Sequence, residues 1–166
     1  MRGLKRVLIA VWLIFVCSLV SAQNKPLDSI YEEVVALAKE YNGERGVKSF
    51  FATDGLKLQT VKAMLRKEFG KEFVDNIKEF AIIFYKDAKS QTAQGIITDI
   101  AQIVTPLQCV NIEAQLKPGA KGQGYIRLIE DNRYLSDLLI VIEAPSPKLI
   151  YFGGKFKAEN IQYKNK

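Results

Sequence analysis

Few residues of this chain could carry chemistry, because it contains no histidine. That absence removes imidazole zinc sites, Ser-His and Cys-His nucleophile pairs, and the usual side-chain switch near neutral pH. Three positions stay of interest: Cys109, Glu113 and Asp137. In a strand running from Gln108 to Lys117, Val110, Ile112, Ala114 and Leu116 alternate onto one face and turn Cys109, Asn111, Glu113 and Gln115 to the other. Cys109 would need a base or positive field to form thiolate, and here only Lys or Arg could supply it. The expectation is an inert small residue beneath a helix, against intermolecular pairing, a redox contact or a reactive thiol. Asp137 interrupts an otherwise apolar strand and would be costly to bury without a partner. Asp137 or Glu113 could belong to a hydrolytic carboxylate pair, which needs separations of about 5 Å or about 6.5 to 9.5 Å.

Other chemistries find less support. The segment Lys117-Pro-Gly-Ala-Lys-Gly-Gln-Gly124 holds three glycines and two lysines, but it joins two candidate strands where a phosphate loop leads into a helix. It reads as a flexible hairpin tip. No Asp-x-Asp-x-Asp-Gly loop or Cys-x-x-Cys pair occurs, so no metal and no cofactor is expected. Lys57, Lys62, Arg66, Lys67 and Lys71 are interleaved with Glu68 and Glu72, and Lys57 and Lys67 fall away from the stripe that Lys62 and Arg66 share at i and i+4. That is no continuous phosphate track, and nucleic acid is not an expected partner. The aromatic residues lie mostly inside strand runs and read as core.

The N-terminus explains much of the charge. Of 166 residues and a net charge of +6, residues 1–22 contribute Arg2, Lys5 and Arg6, then an apolar run from Val7 to Val20 broken only by Ser18, then Ser21-Ala22 before Gln23. A basic start, a short apolar run and small residues at the cut make a secretory signal peptide. The run is shorter than the roughly 20 residues a membrane span needs, and no later stretch supplies one. Cleavage after Ala22 would leave residues 23–166 as a single exported domain, periplasmic or extracellular, with 21 Lys and Arg against 18 Asp and Glu. The alternative is a lipoprotein anchored at Cys17, although Val16 stands where a small residue would be expected.

The elements that must position these residues follow from periodicity. Ser29-Ile-Tyr-Glu32 is a capping box opening a helix whose face is Ile30, Val34, Leu37, Ala38 and Tyr41. Val47 to Ala52 is a strand, and a second helix after Thr53 or Asp54 presents Leu58, Val61, Leu65 and Phe69 with Met64 beside them, closing at Gly70. Lys71 to Ile77 adds a short helix. Phe80 to Tyr85 is apolar throughout, as in a strand covered on both faces. Ser90 to Val104 is a third main helix, weakened by Gly95. Then come strands at Gln108 to Lys117, Gly124 to Glu130, Tyr134 to Ala144 and Lys148 to Phe156, joined by short turns. The fold class is α+β: an antiparallel sheet, built as a C-terminal four-strand meander plus one or two N-terminal strands, with about three helices packed on it. Leu138 to Ile142 needs a central position or cover on both sides, and is placed beside Phe80 to Tyr85.

Tyr41-Asn-Gly-Glu-Arg-Gly-Val47, Gly124-Tyr-Ile-Arg-Leu128, Leu135 to Ile142 and Leu149-Ile-Tyr-Phe-Gly-Gly-Lys-Phe156, in this order, resemble the small secreted domains of unknown function common in Bacteroidota envelopes. The resemblance covers roughly Leu27 to Ile161. It implies an envelope location, an α+β fold and a link to envelope signalling or stress systems, without an assigned activity. The expected function is a non-enzymatic module binding an envelope protein or other partner through its sheet face or a helix surface. The alternative is a small envelope hydrolase using a carboxylate pair.

Overall fold

A computed structural model describes residues 29–112 and 116–158. The signal segment, Cys17, Gln23 and Glu113 lie outside the described residues. The elements run α1 (Ile30–Glu40), β1 (Lys48–Ala52), α2 (Gly55–Phe69), α3 (Lys71–Asp75), β2 (Ile77–Phe84), α4 (Ser90–Val104), β3 (Gln108–Val110), β4 (Lys121–Ile129), β5 (Tyr134–Ala144) and β6 (Lys148–Lys157). The six strands form one sheet in the order β1-β2-β6-β5-β4-β3, and every pairing is antiparallel. The fold is α+β, and its last four strands are a meander. No described helix is long and apolar enough to cross a membrane.

Alternation along the central strands divides the core into two layers. On β5 and β6, Leu138, Phe152 and Phe156 face one layer, which α2 and α3 cover with Leu58, Val61, Phe73 and Val74. Leu139, Leu149 and Tyr151 face the other, covered by Ile30 and Val34 of α1 and Ile96 and Ile100 of α4. Both faces of the sheet therefore carry helices, which is why β2, β5 and β6 read as nearly continuous apolar runs.

Within this frame, several expectations change. Leu138 to Ile142 lies in a central strand, with Leu138 and Leu139 buried and Ile140 to Ile142 half-buried, but β6 separates it from β2. The short turn at Ala144 to Pro147 makes β6 the neighbour of β5, so the last strand of the meander docks on β2. Ser29 does sit at the N-cap of α1, yet its side chain makes no cap hydrogen bond. The strand expected from Gln108 to Lys117 stops at Val110, and residues 113–115 lie outside the description. The glycine-rich segment is only partly a turn: Ala120 N–H bonds Lys117 O at 2.9 Å, and Gly122 and Gly124 are already in β4. Met64, expected beside the packed face of α2, is 65% exposed.

The basic stretch holds helices together. Arg66 pairs with Asp75 at 2.9 Å, and Lys62 Nζ donates to Asp75 O at 3.1 Å, tying α3 back to α2. Exposed pairs of this kind contribute well under about 1 kcal/mol each. The larger anchor is aromatic: the Phe73 ring stacks on Phe156 at 4.5 Å and meets Phe152 edge-on at 5.5 Å.

Gly95 also has a structural reason. A Cβ there would stand 2.5 Å from the Tyr41 hydroxyl, which donates to Asp99 Oδ2 at 2.8 Å. That bond, then burial, pushes the Tyr41 phenol up to about 12. Helix propensity alone predicts that Gly95→Ala stabilises by about 1 kcal/mol. Displacing a hydrogen bond to a charged group costs about 1.5 to 3 kcal/mol, so urea unfolding of Gly95→Ala should show a net loss of about 1 kcal/mol.

Candidate functional site

Two regions of the sheet compete for a functional role, and they lie on opposite faces. On the face under α1 and α4, Glu79 of β2, Gly153 of β6, Asp137 of β5 and Arg127 of β4 are successive register partners, forming one row across four strands. Register irregularities sit at Ile77/Glu79, Leu135/Asp137 and Arg127/Leu128, all at this level. Bulges of this kind re-aim side chains. They bring Glu79 and Asp137 to either side of a residue that has no side chain.

Tyr151, two residues before Gly153 on the same face of β6, fills that space. Its hydroxyl lies 2.5 Å from where a Gly153 Cβ would stand, with Glu79 Oε2 2.6 Å from the same point. The hydroxyl donates to Asp137 Oδ1 at 2.8 Å and lies 3.2 Å from Glu79 Oε2. Burial first, then the Asp137 charge and hydrogen bond, then Glu79, push the Tyr151 phenol far above its ordinary value. It therefore remains a donor at every physiological pH. Asp137, 6% exposed, also accepts from Ser136 Oγ at 2.6 Å and faces Arg127 Nε at 3.5 Å. The Tyr31 ring of α1 packs at 5.8 Å from that of Tyr151 and helps to close the row.

Asp137 thus has the partners its burial demanded, and its companion carboxylate is Glu79. Sequence periodicity could not find Glu79, Tyr151 or Arg127. The signal available was Gly153-Gly154 inside a regular strand, which marks a close approach. Two carboxylates converge on one hydroxyl. However, helices cover this face, and an apolar cavity lies on the other side of the sheet. Cys109 needs correction: it is exposed on the edge strand β3, with Gln123 Nε2 2.8 Å from its Sγ, and does not lie beneath a helix. Among the described residues no cluster of three His, Cys, Asp or Glu could hold a metal.

The second region is the opposite face. There α2 and α3 pack mainly over β1, β2 and β6, and beyond Phe69 and Phe73 the residues Ile140, Ile142 and Ile150 stay half-buried. The result is an apolar groove of about 1100 Å³. Its floor is Leu138, Ile140 and Ile142 of β5 with Ile150 of β6; Phe69 and Phe73 form the wall at the α2–α3 junction, and Val110, Ile112 and Leu116 form the far side. Lys71, Lys117 and Lys148 stand around it, together with Glu68 and Glu72. Ligand sites are typically concave, mostly apolar and about 300 to 1,000 Å³, with a few polar groups that fix orientation. At about 1100 Å³ the groove lies just above that range, and its lining is mostly apolar with a few charged groups. Strand β5 serves both regions by alternation, sending Asp137 to one face and Leu138 and Ile140 to the other. No known family matches the chain, and neither the curated proteins nor the solved structures hold a match to it.

Proposed function

We propose that this chain is an exported, non-enzymatic binding module that takes an apolar ligand on the open half of its sheet. The observation that carries the reading is the 1100 Å³ apolar groove over Leu138, Ile140 and Ile150. Sheet faces of central strands are normally covered, and the half-buried Ile140, Ile142 and Ile150 forgo part of the roughly 1.5 to 3 kcal/mol that full burial of such a side chain gives. An apolar floor that the described residues leave partly uncovered beside a helix junction is an arrangement that a ligand completes. The signal-like residues 1–22 and the resemblance to secreted Bacteroidota domains support an envelope setting, in signalling or stress response.

The test uses a neutral apolar dye, Nile red, whose fluorescence rises on leaving water. The native protein is expected to bind it saturably, and Ile140→Glu to reduce the affinity at least tenfold while the circular dichroism spectrum is kept. Ile142→Ser provides a milder second variant. Equal dye binding by all three proteins overturns the reading. Detection of Gln23 as the N-terminus of envelope-fractionated protein by mass spectrometry tests the export arm, which retention in the cytoplasm with residues 1–22 intact defeats.

A further inference from the structure

We infer that the ligand of the groove is a single-chain anionic amphiphile, a long-chain fatty acid in chemical class, with its alkyl chain along the sheet floor and its carboxylate among Lys71, Lys117 and Lys148. The inference rests on the binding-module reading and narrows it to one ligand chemistry.

Two observations favour an alkyl chain over a polypeptide segment. The floor comes from β5 and β6, and each is already paired with a neighbour along both edges. Their backbone amides and carbonyls are therefore committed, and a peptide lying across them would leave its own backbone groups without partners. The floor offers nothing to repair that, since Leu138, Ile140, Ile142 and Ile150 are all hydrocarbon, and the polar residues of the lining stand around it. An alkyl chain has no polar group along its length and incurs no such cost.

The headgroup sign follows from the rim. Among the described residues three lysines line the groove against two glutamates, and Glu72 is already engaged by Lys157 at 3.1 Å. Lys71 and Lys117 are exposed and make no ion pair with a described residue. Lys148 rests 5.8 Å from the centre of the Phe84 ring, at the end of the sheet where the floor begins. A lysine ammonium on a flexible stem suits a headgroup that need not be held in one orientation. Glu68 opposes the anion, and the lysines outnumber it.

The experiment is calorimetric titration of the protein, as recovered from the producing cell, with hexadecanoate, dodecanoate and hexadecyltrimethylammonium below their micellar concentrations. Each buried methylene changes affinity about fourfold, so hexadecanoate should bind on the order of a hundredfold more tightly than dodecanoate. The cation of equal chain length should bind at least tenfold more weakly than hexadecanoate. Lys71→Glu combined with Lys117→Glu should weaken hexadecanoate at least fivefold and strengthen the cation. Both positions are exposed, so the fold is not at risk. Equal binding of anion and cation, or no dependence on chain length, overturns the inference. Failure of every alkyl probe while Nile red still binds in an Ile140-dependent way overturns the ligand class and leaves the groove reading standing. Failure of dye and alkyl probes together overturns both.

Discussion

Asp137→Ala is expected to cost about 3 to 5 kcal/mol, the range for removing one partner of a buried ion pair. The loss has named parts. Arg127, whose Nε and Nη2 are buried and make no hydrogen bond among the described residues, would lose the Asp137 charge that faces it. The Tyr151 hydroxyl would lose its 2.8 Å acceptor and the Ser136 hydroxyl its 2.6 Å acceptor. Each orphaned buried group costs about 1 to 3 kcal/mol. For a domain of this size the melting temperature should drop by roughly 10 °C or more. Asp137→Asn, which keeps an oxygen acceptor, should lose less, about half as much. Thermal or urea unfolding checks both. A melting temperature within about 2 °C of the native protein, combined with loss of a measured hydrolytic activity, would instead assign Asp137 to a carboxylate pair and reverse the structural reading.

Much of the fold was legible because period carries face. Ser90 to Val104 and Tyr134 to Ala144 are found with the expected bounds, since an apolar stripe or an alternating run reports local geometry directly. Strand order was legible only where short turns force adjacency. The neighbour of β2 is reached across a long separation, and no local pattern distinguishes β5 from β6 when both are apolar on both faces. The groove was invisible for a related reason. Ile140 and Ile142 read as core, and only the lateral position of α2 and α3 leaves that part of the sheet open. The polar row depends on register shifts beside Glu79, Asp137 and Arg127, and single-residue bulges leave no trace in composition or period. Cys109 departs from the place expected for it beneath a helix because β3 is a short strand at the sheet edge, where the cysteine is exposed.

Gly153 supplies the sharpest check on that row, because the residue contributes nothing except space. Gly153→Ala places a methyl group 2.5 Å from the Tyr151 hydroxyl, 2.6 Å from Glu79 Oε2 and 3.1 Å from Glu79 Cβ. Either the phenol must leave Asp137 or the β2 to β6 contact must widen, and overpacking of this kind costs about 1 to 3 kcal/mol. Gly153→Ala alone should fall at the upper end, since the lost hydrogen bond adds to the steric term. Tyr151→Phe alone should cost about 1 to 2 kcal/mol, the worth of a buried hydrogen bond to a charged acceptor. Combined, the two should cost less than their sum by about 1 kcal/mol, because the hydroxyl that the added methyl would strike is already gone, while the Glu79 contact remains. Strict additivity in urea unfolding would mean that the hydroxyl does not occupy the space above Gly153, and the row could not then be the arrangement that fixes Tyr151 between its two carboxylates. A coupling of the expected size would place the origin of this strand's glycine in the polar row beneath α1, on the face opposite the groove.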